Sequence, residues 1–101
     1  MTISQVKEKC QDEYIEVTGH ALFRIQQRGI LYQDIKNAIN TGEIIEDYPD
    51  DYPYPSCLIL GYTKEEKGLH VVVGLGENKL WIITAYYPDL NEWQADLRKR
   101  I

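Results

Sequence analysis

Three apolar, β-branched runs, Cys57–Tyr62, Leu69–Gly74 and Leu80–Tyr86, constrain this chain more than any other feature. Each has the length of a strand, and turn-forming residues separate them: Thr63-Lys64-Glu65-Glu66-Lys67-Gly68, then Leu75-Gly76-Glu77-Asn78-Lys79. Connections this short join antiparallel neighbours, so the runs form a meander. Most positions on both faces of each run are apolar, and neither face can be left to water. The pattern therefore predicts helices over one face and further chain, including the Pro/Tyr segment 48–55, over part of the other.

The helices come first in the chain. Ile3, Val6 and Cys10 recur at helical spacing within residues 2–13, and Tyr14–Val17 alternates as a brief strand. Thr18 is placed to cap a helix, and Gly29 to end it in the left-handed conformation, which predicts a helix from about Gly19 to Arg28. Leu31, Ile35, Ala38 and Ile39, with Asp34 near the start and Gly42 just past the end, predict a second over Tyr32–Thr41. Glu43–Asp47 offers a short strand, after which Pro49, Pro53 and Pro55, three prolines in seven residues, forbid a ladder. Asp89, with Glu92 three residues on, predicts a last helix whose stripe is Leu90, Trp93, Leu97 and Ile101. The expected fold is α+β in a single domain, 1–101. N-terminal helices pack on a mostly antiparallel sheet of about four strands, and a C-terminal helix completes it.

Composition narrows the function classes. A formal net charge of -5 opposes general affinity for polyanions, which depends on Lys and Arg displacing counterions. Five acids, Glu43, Glu46, Asp47, Asp50 and Asp51, fall within nine residues, whereas Arg24 and Arg28 stand apart from them, leaving room for a local basic site. No apolar run approaches the eighteen or so residues of a membrane helix, and Met1–Asp12 lacks the pattern of a secretory signal, so a cytoplasmic location with no membrane partner is expected. Cys10 and Cys57 lack metal or disulfide spacing and read as reduced thiols. Gly74-Leu75-Gly76 lies between strands rather than opening a helix, which removes the common nucleotide-cofactor motif. Two histidines fifty residues apart, and aspartates without calcium-loop spacing, point to chemistry with neither metal nor cofactor.

In the helix expected after Thr18, residues four apart rotate by about 40°, so His20, Arg24 and Arg28 form one row beside an apolar face of Ala21, Leu22 and Ile25. An imidazole in a first helical turn is favoured in its neutral, proton-accepting form by the dipole. Two guanidiniums supply permanent positive forks for a phosphate. Together they are the minimum kit for RNA cleavage in which a 2′-hydroxyl attacks the adjacent phosphorus. The plainer alternative has His20 bonding a neighbouring turn and the arginines pairing with Glu13, Glu16 or the acidic segment. His70 is unusual inside a strand. If Val72 pairs near Ile82, Thr84 and Tyr86 become its neighbours, making His70 or Tyr86 a candidate acid; the alternative is a satisfied core histidine. A second function class also stays open: a non-catalytic module that contacts a protein through Asp47–Tyr54.

The segment His20-Ala21-Leu22-Phe23-Arg24-Ile25-Gln26-Gln27-Arg28-Gly29-Ile30 resembles the H-A-x-x-R-x-x-x-R-G-I signature of a family of small bacterial proteins labelled a domain of unknown function. Asp34-Ile35, Ala38-Ile39, Gly42-Glu43-Ile44-Ile45, Tyr48, Leu58-Ile59-Leu60-Gly61, Leu69-His70-Val71-Val72-Val73, Ile82-Ile83-Thr84-Ala85-Tyr86, Pro88 and Trp93 resemble its later blocks. The family is similar to RelE-like and MqsR-like toxins paired with YgiT-type zinc-finger antitoxins. The resemblance implies a RelE/barnase-like architecture, a ribonuclease toxin or its descendant, RNA and a cognate antitoxin as partners, and a polar signature on His20, Arg24, Arg28 and His70. It further implies a terminal aromatic and basic pattern on Tyr86, Trp93 and Arg98.

Overall fold

A computed structural model describes Met1–Ile101. The elements are α1 (Ile3–Glu8), β1 (Ile15–Val17), α2 (Gly19–Gln27), α3 (Tyr32–Thr41), β2 (Glu43–Tyr48), β3 (Ser56–Tyr62), β4 (Gly68–Gly76) and β5 (Lys79–Tyr86). They build one five-stranded sheet in the order β1-β5-β4-β3-β2. The meander is β3, β4 and β5, with β2 antiparallel on its outer side. The fifth strand, one more than the expected number, is β1, which pairs parallel to β5. Glu77 and Asn78 both have positive φ, 53° and 60°, and form the two-residue turn between β4 and β5. That turn type matches the twist of the flanking strands.

The α2–α3 pair carries the chain from the β1 edge to the β2 edge across one face. Ile25, Ile30, Ile35, Ala38 and Ile39, joined by Val6 of α1, bury against Ile59, Leu69, Val71, Val73, Leu80 and Ile82. The approach of α3 depends on Gly61: a Cβ there would lie 1.7 Å from the Ala38 carbonyl oxygen. Asp34 starts α3 by accepting from the Leu31 amide at 2.9 Å.

His70, Val72 and Gly74 alternate onto the opposite face. The β4–β5 register differs from the expected Val72–Ile82 pairing. Val73 faces Ile82 while Val72 faces Thr84, so Ile83 is an extra residue in β5. This bulge sets His70 directly opposite Tyr86; without it the ladder would bring Ala85 there.

Residues 88–101 cover this face without the expected C-terminal helix. Asp89 begins a single turn, its backbone oxygen accepting from Glu92 and Trp93, each at 2.9 Å, and its carboxylate from Asn91 at 2.9 Å. The chain then doubles back: Gln94 donates to Lys99, Ile101 donates to Glu92, and Trp93 bridges Arg100. Asp96 takes the Arg98 amide at 3.0 Å, and such side-chain acceptors compete with helical bonding. A helix would have buried Leu90 and Ile101, which are 62% and 75% exposed here, whereas Trp93 is 2% exposed. Burial of Trp93 on the sheet thus replaces the helical stripe. Arg98 binds Glu43, and Arg100 binds Glu46 at 2.9 and 3.0 Å.

Candidate functional site

Thr18 caps α2 by accepting from the Ala21 amide at 3.2 Å. At the other end Gly29, with φ 70°, donates to Gln26, while Ile30 donates to Ile25 at 3.1 Å, satisfying the last carbonyls and burying Ile30. Ala21 and Ile25 face the core. Leu22 and Gln26 line a 120 Å³ cavity with Tyr32 and Ile35, so that flank of α2 looks toward α3. His20 and Arg24 occupy the other flank, displaced by about 120–160° around the axis from Leu22 and Gln26, as 3.6 residues per turn requires.

Both side chains are exposed, and neither makes a side-chain hydrogen bond or ion pair within the chain. Arg28 reaches the edge of β5, where its Nη1 donates to Thr84 Oγ1 at 3.1 Å and to the Ala85 carbonyl at 2.9 Å. The pairing with Glu13 or Glu16 weighed from sequence does not form; Glu16 lies 3.5 Å from Lys79 instead. Of the four arginines, Arg98 and Arg100 hold carboxylates, while Arg24 on α2 and Arg28 at its C-cap hold none.

His70 is placed differently. It is 0% exposed, and its rings of contact are Tyr86 at 5.2 Å and Trp93 at 4.5 Å, both edge-on. Nε2 lies 2.8 Å from the Leu97 carbonyl and Nδ1 3.2 Å from the Tyr86 hydroxyl. A carbonyl only accepts, so Nε2 carries the proton and Nδ1 accepts from Tyr86. Burial pushes the His70 pKa down, and the Leu97 carbonyl offsets part of that effect. Burial also pushes up the half-buried Tyr86. His70 is therefore a neutral, fully bonded histidine under residues 88–101, and it does not open into a cleft with His20. The link between the α2 row and the β4–β5 face is Arg28, through Thr84.

The expected cover by the Pro/Tyr segment is present, and only the slot it leaves has no clear mark in the sequence. The Pro/Tyr segment folds over β4 and β5, leaving a 340 Å³ slot lined by Thr18, Tyr52, Pro53, Tyr54, Trp81 and Ile83 among others. Tyr54 stacks on Trp81, with ring centroids 5.8 Å apart and planes 21° apart. The same ring fills the space over Gly76, where a Cβ would meet it at 2.0 Å. Tyr52 stands 90% exposed at the rim. The slot shares Thr18, the N-cap of α2, two residues before His20. Its only sequence signal is the density of tyrosine and proline in 48–55.

Fold and site together define a small α+β domain: a helix pair on one face of a mixed sheet, a polar row on the first helix of that pair, and aromatic cover on the other face. Residues 17–87 match the family described as Domain of unknown function (DUF4258), and the chain belongs to that family. His20, Arg24, Arg28, His70 and Tyr86 all lie within the matched residues. No curated protein and no solved structure matches the chain. No helix is long and apolar enough to cross a membrane.

Proposed function

We propose that this chain is a toxin-type endoribonuclease that cleaves RNA without a metal. The observation that supports it best is the α2 row: His20 and Arg24 are exposed and unpaired beside Arg28, in a protein that spends both its other arginines on carboxylates. Acids outnumber bases 16 to 11, so cations left without carboxylates are available to an external anion.

In this reading the His20 imidazole takes the proton of a ribose 2′-hydroxyl. The 2′-oxygen bonds to the adjacent phosphorus, the bond to the 5′-oxygen breaks, and the imidazolium returns its proton to that oxygen. The products are a 2′,3′-cyclic phosphate and a 5′-hydroxyl. Arg24 binds the phosphate, and Arg28, steadied by Thr84 and Ala85, stabilises the charge that builds on its oxygens. His70 and Tyr86 support the strand face beneath and hold residues 88–101. A cognate antitoxin would act by covering the row.

Induced expression of the wild type, beside His20→Ala and Arg24→Ala, tests the proposal. Growth arrest with fragmented RNA is expected from the wild type only. Equal harmlessness of all three folded proteins refutes it.

A second reading rests on Tyr52. A tyrosine 90% exposed on a proline-stiffened loop, near Asp47 and Asp50, also suits a non-catalytic module that contacts a protein. In that case a Tyr52→Ala variant loses the partner, while the α2 variants keep it.

A further inference from the structure

We infer that the slot between the Pro/Tyr segment and β5 holds one unpaired nucleobase of the RNA, with that nucleotide's phosphate on the α2 row. The inference rests on the reading of the chain as an RNA-directed protein and adds the substrate form: single-stranded, gripped through a base.

The slot is built rather than incidental. The Asp51 carboxylate accepts from Ser56 Oγ at 2.6 Å and from the Tyr52 amide at 3.0 Å, tying the loop to the start of β3. Pro55 accepts from the Leu75 amide at 3.2 Å, tying it to β4. Trp81 is fixed from below, its indole N–H donating to the Gly76 carbonyl at 3.1 Å. Two stacked rings, Tyr54 and Trp81, and the rim tyrosine Tyr52 supply flat apolar faces, which suit a base of any identity.

Size and charge select the occupant. A volume of 340 Å³ is near the small end of ligand sites, which run from about 300 to 1,000 Å³, and admits a nucleoside but not a paired helix. A paired base presents only its edges, so the base must be splayed out of its stack. A purely apolar ligand would leave the adjoining cations unused. A nucleotide uses both surfaces, because Thr18 at the slot wall is two residues from His20 and one turn further from Arg24. Asp50 and Asp51 on the loop, and the net charge of -5, oppose long runs of phosphate contacts. Affinity therefore comes mainly from stacking, with a shallow salt dependence: two engaged arginines on a single strand give a log–log slope of about −1.4.

The test is a titration of the full chain with a five-nucleotide single-stranded RNA of mixed sequence, read by tryptophan emission. Trp81 lines the slot and Trp93 is buried, so Trp81→Phe identifies the signal. Tyr52→Ala removes an exposed ring and leaves the fold intact. Gly74→Val fills the slot from β4, where a Cβ meets only ordinary contacts, the nearest at 3.5 Å. Expected are quenching of Trp81 by the RNA and by a nucleoside monophosphate but not by ribose 5-phosphate, and a loss of affinity of about tenfold or more in both slot variants. RNA bound with no change in Trp81, or with unchanged affinity in Tyr52→Ala and Gly74→Val, overturns the inference. So does quenching by a tyrosine-containing peptide in place of RNA. Slot binding in a protein that cleaves nothing upholds the inference and refutes the nuclease. Cleavage with unaltered KM in the slot variants does the reverse.

Discussion

Replacing Trp93 with alanine separates the sheet from the segment that covers it. Trp93 is 2% exposed, lies edge-on to His70 at 4.5 Å and carries the Arg100 guanidinium over its ring at 4.5 Å. Truncating a buried tryptophan costs about 3–5 kcal/mol when the surroundings stay in place. Residues 88–101 then retain the His70–Leu97 bond, worth about 1 kcal/mol, and the exposed ion pairs of Arg98 and Arg100, which contribute little. Against these stands the conformational freedom that the segment regains on release. The segment therefore releases instead of enclosing a cavity, and the global loss of stability is smaller than 3–5 kcal/mol. Release exposes His70, so its depressed pKa returns toward the ordinary histidine range. NMR titration of the two imidazoles, with urea unfolding of the same variant, measures both quantities. A His70 that keeps its low pKa while the whole domain loses 5 kcal/mol or more would show that 88–101 belongs to the cooperative core.

Three further outcomes follow from the packing. Gly61→Ala puts a Cβ 1.7 Å from the Ala38 carbonyl oxygen, where only movement of α3 can relieve it; unfolding should show a loss of about 3 kcal/mol or more, and less than 1 would refute the close approach. Gly29→Ala forces an L-residue to φ 70° at the end of α2, and should cost about 1 kcal/mol in the same assay, with space around the new methyl group excluding a clash as the cause. Because the folded state holds His70 neutral, the unfolded chain binds more protons in acid. Stability is full above the unfolded histidine pKa of about 6.5 and falls below it, by up to about 1.4 kcal/mol per pH unit, until the folded value is passed. Urea midpoints at pH 7.5 and 5.5 should show the fall in the wild type and a smaller one in His70→Asn.

Helix α3 is legible in the sequence because start, stripe and stop agree: Asp34 at the first turn, Ile35, Ala38 and Ile39 inward, Gly42 after the end. The same agreement serves α2, where Thr18 and Gly29 punctuate it. Long-range features leave weaker marks. β1 is three residues long and gains its place only by pairing with Leu80–Ile82, far along the chain. The bulge at Ile83 is invisible in a run of apolar residues, yet it sets His70 opposite Tyr86. Leu90, Trp93, Leu97 and Ile101 have a helix's spacing, but Asp89 and Asp96 bind nearby amides and the sheet offers Trp93 a better burial site than a helix stripe would. For the site, periodicity put His20, Arg24 and Arg28 on one row, and the structure adds that only Arg28 is tethered. The slot at Trp81 depends on where the loop 49–55 lands, which no local pattern encodes.

The most direct measurement of the proposed chemistry uses an RNA oligonucleotide and its twin carrying 2′-deoxyribose at the cleaved position, in the presence of a chelator. The pure protein should cut the first to a 2′,3′-cyclic phosphate and leave the second whole, and His20→Ala should lower the rate by about 10²–10⁴-fold with its fold unchanged. Cleavage of the deoxy twin, loss of activity with chelator, or full activity in His20→Ala would contradict it.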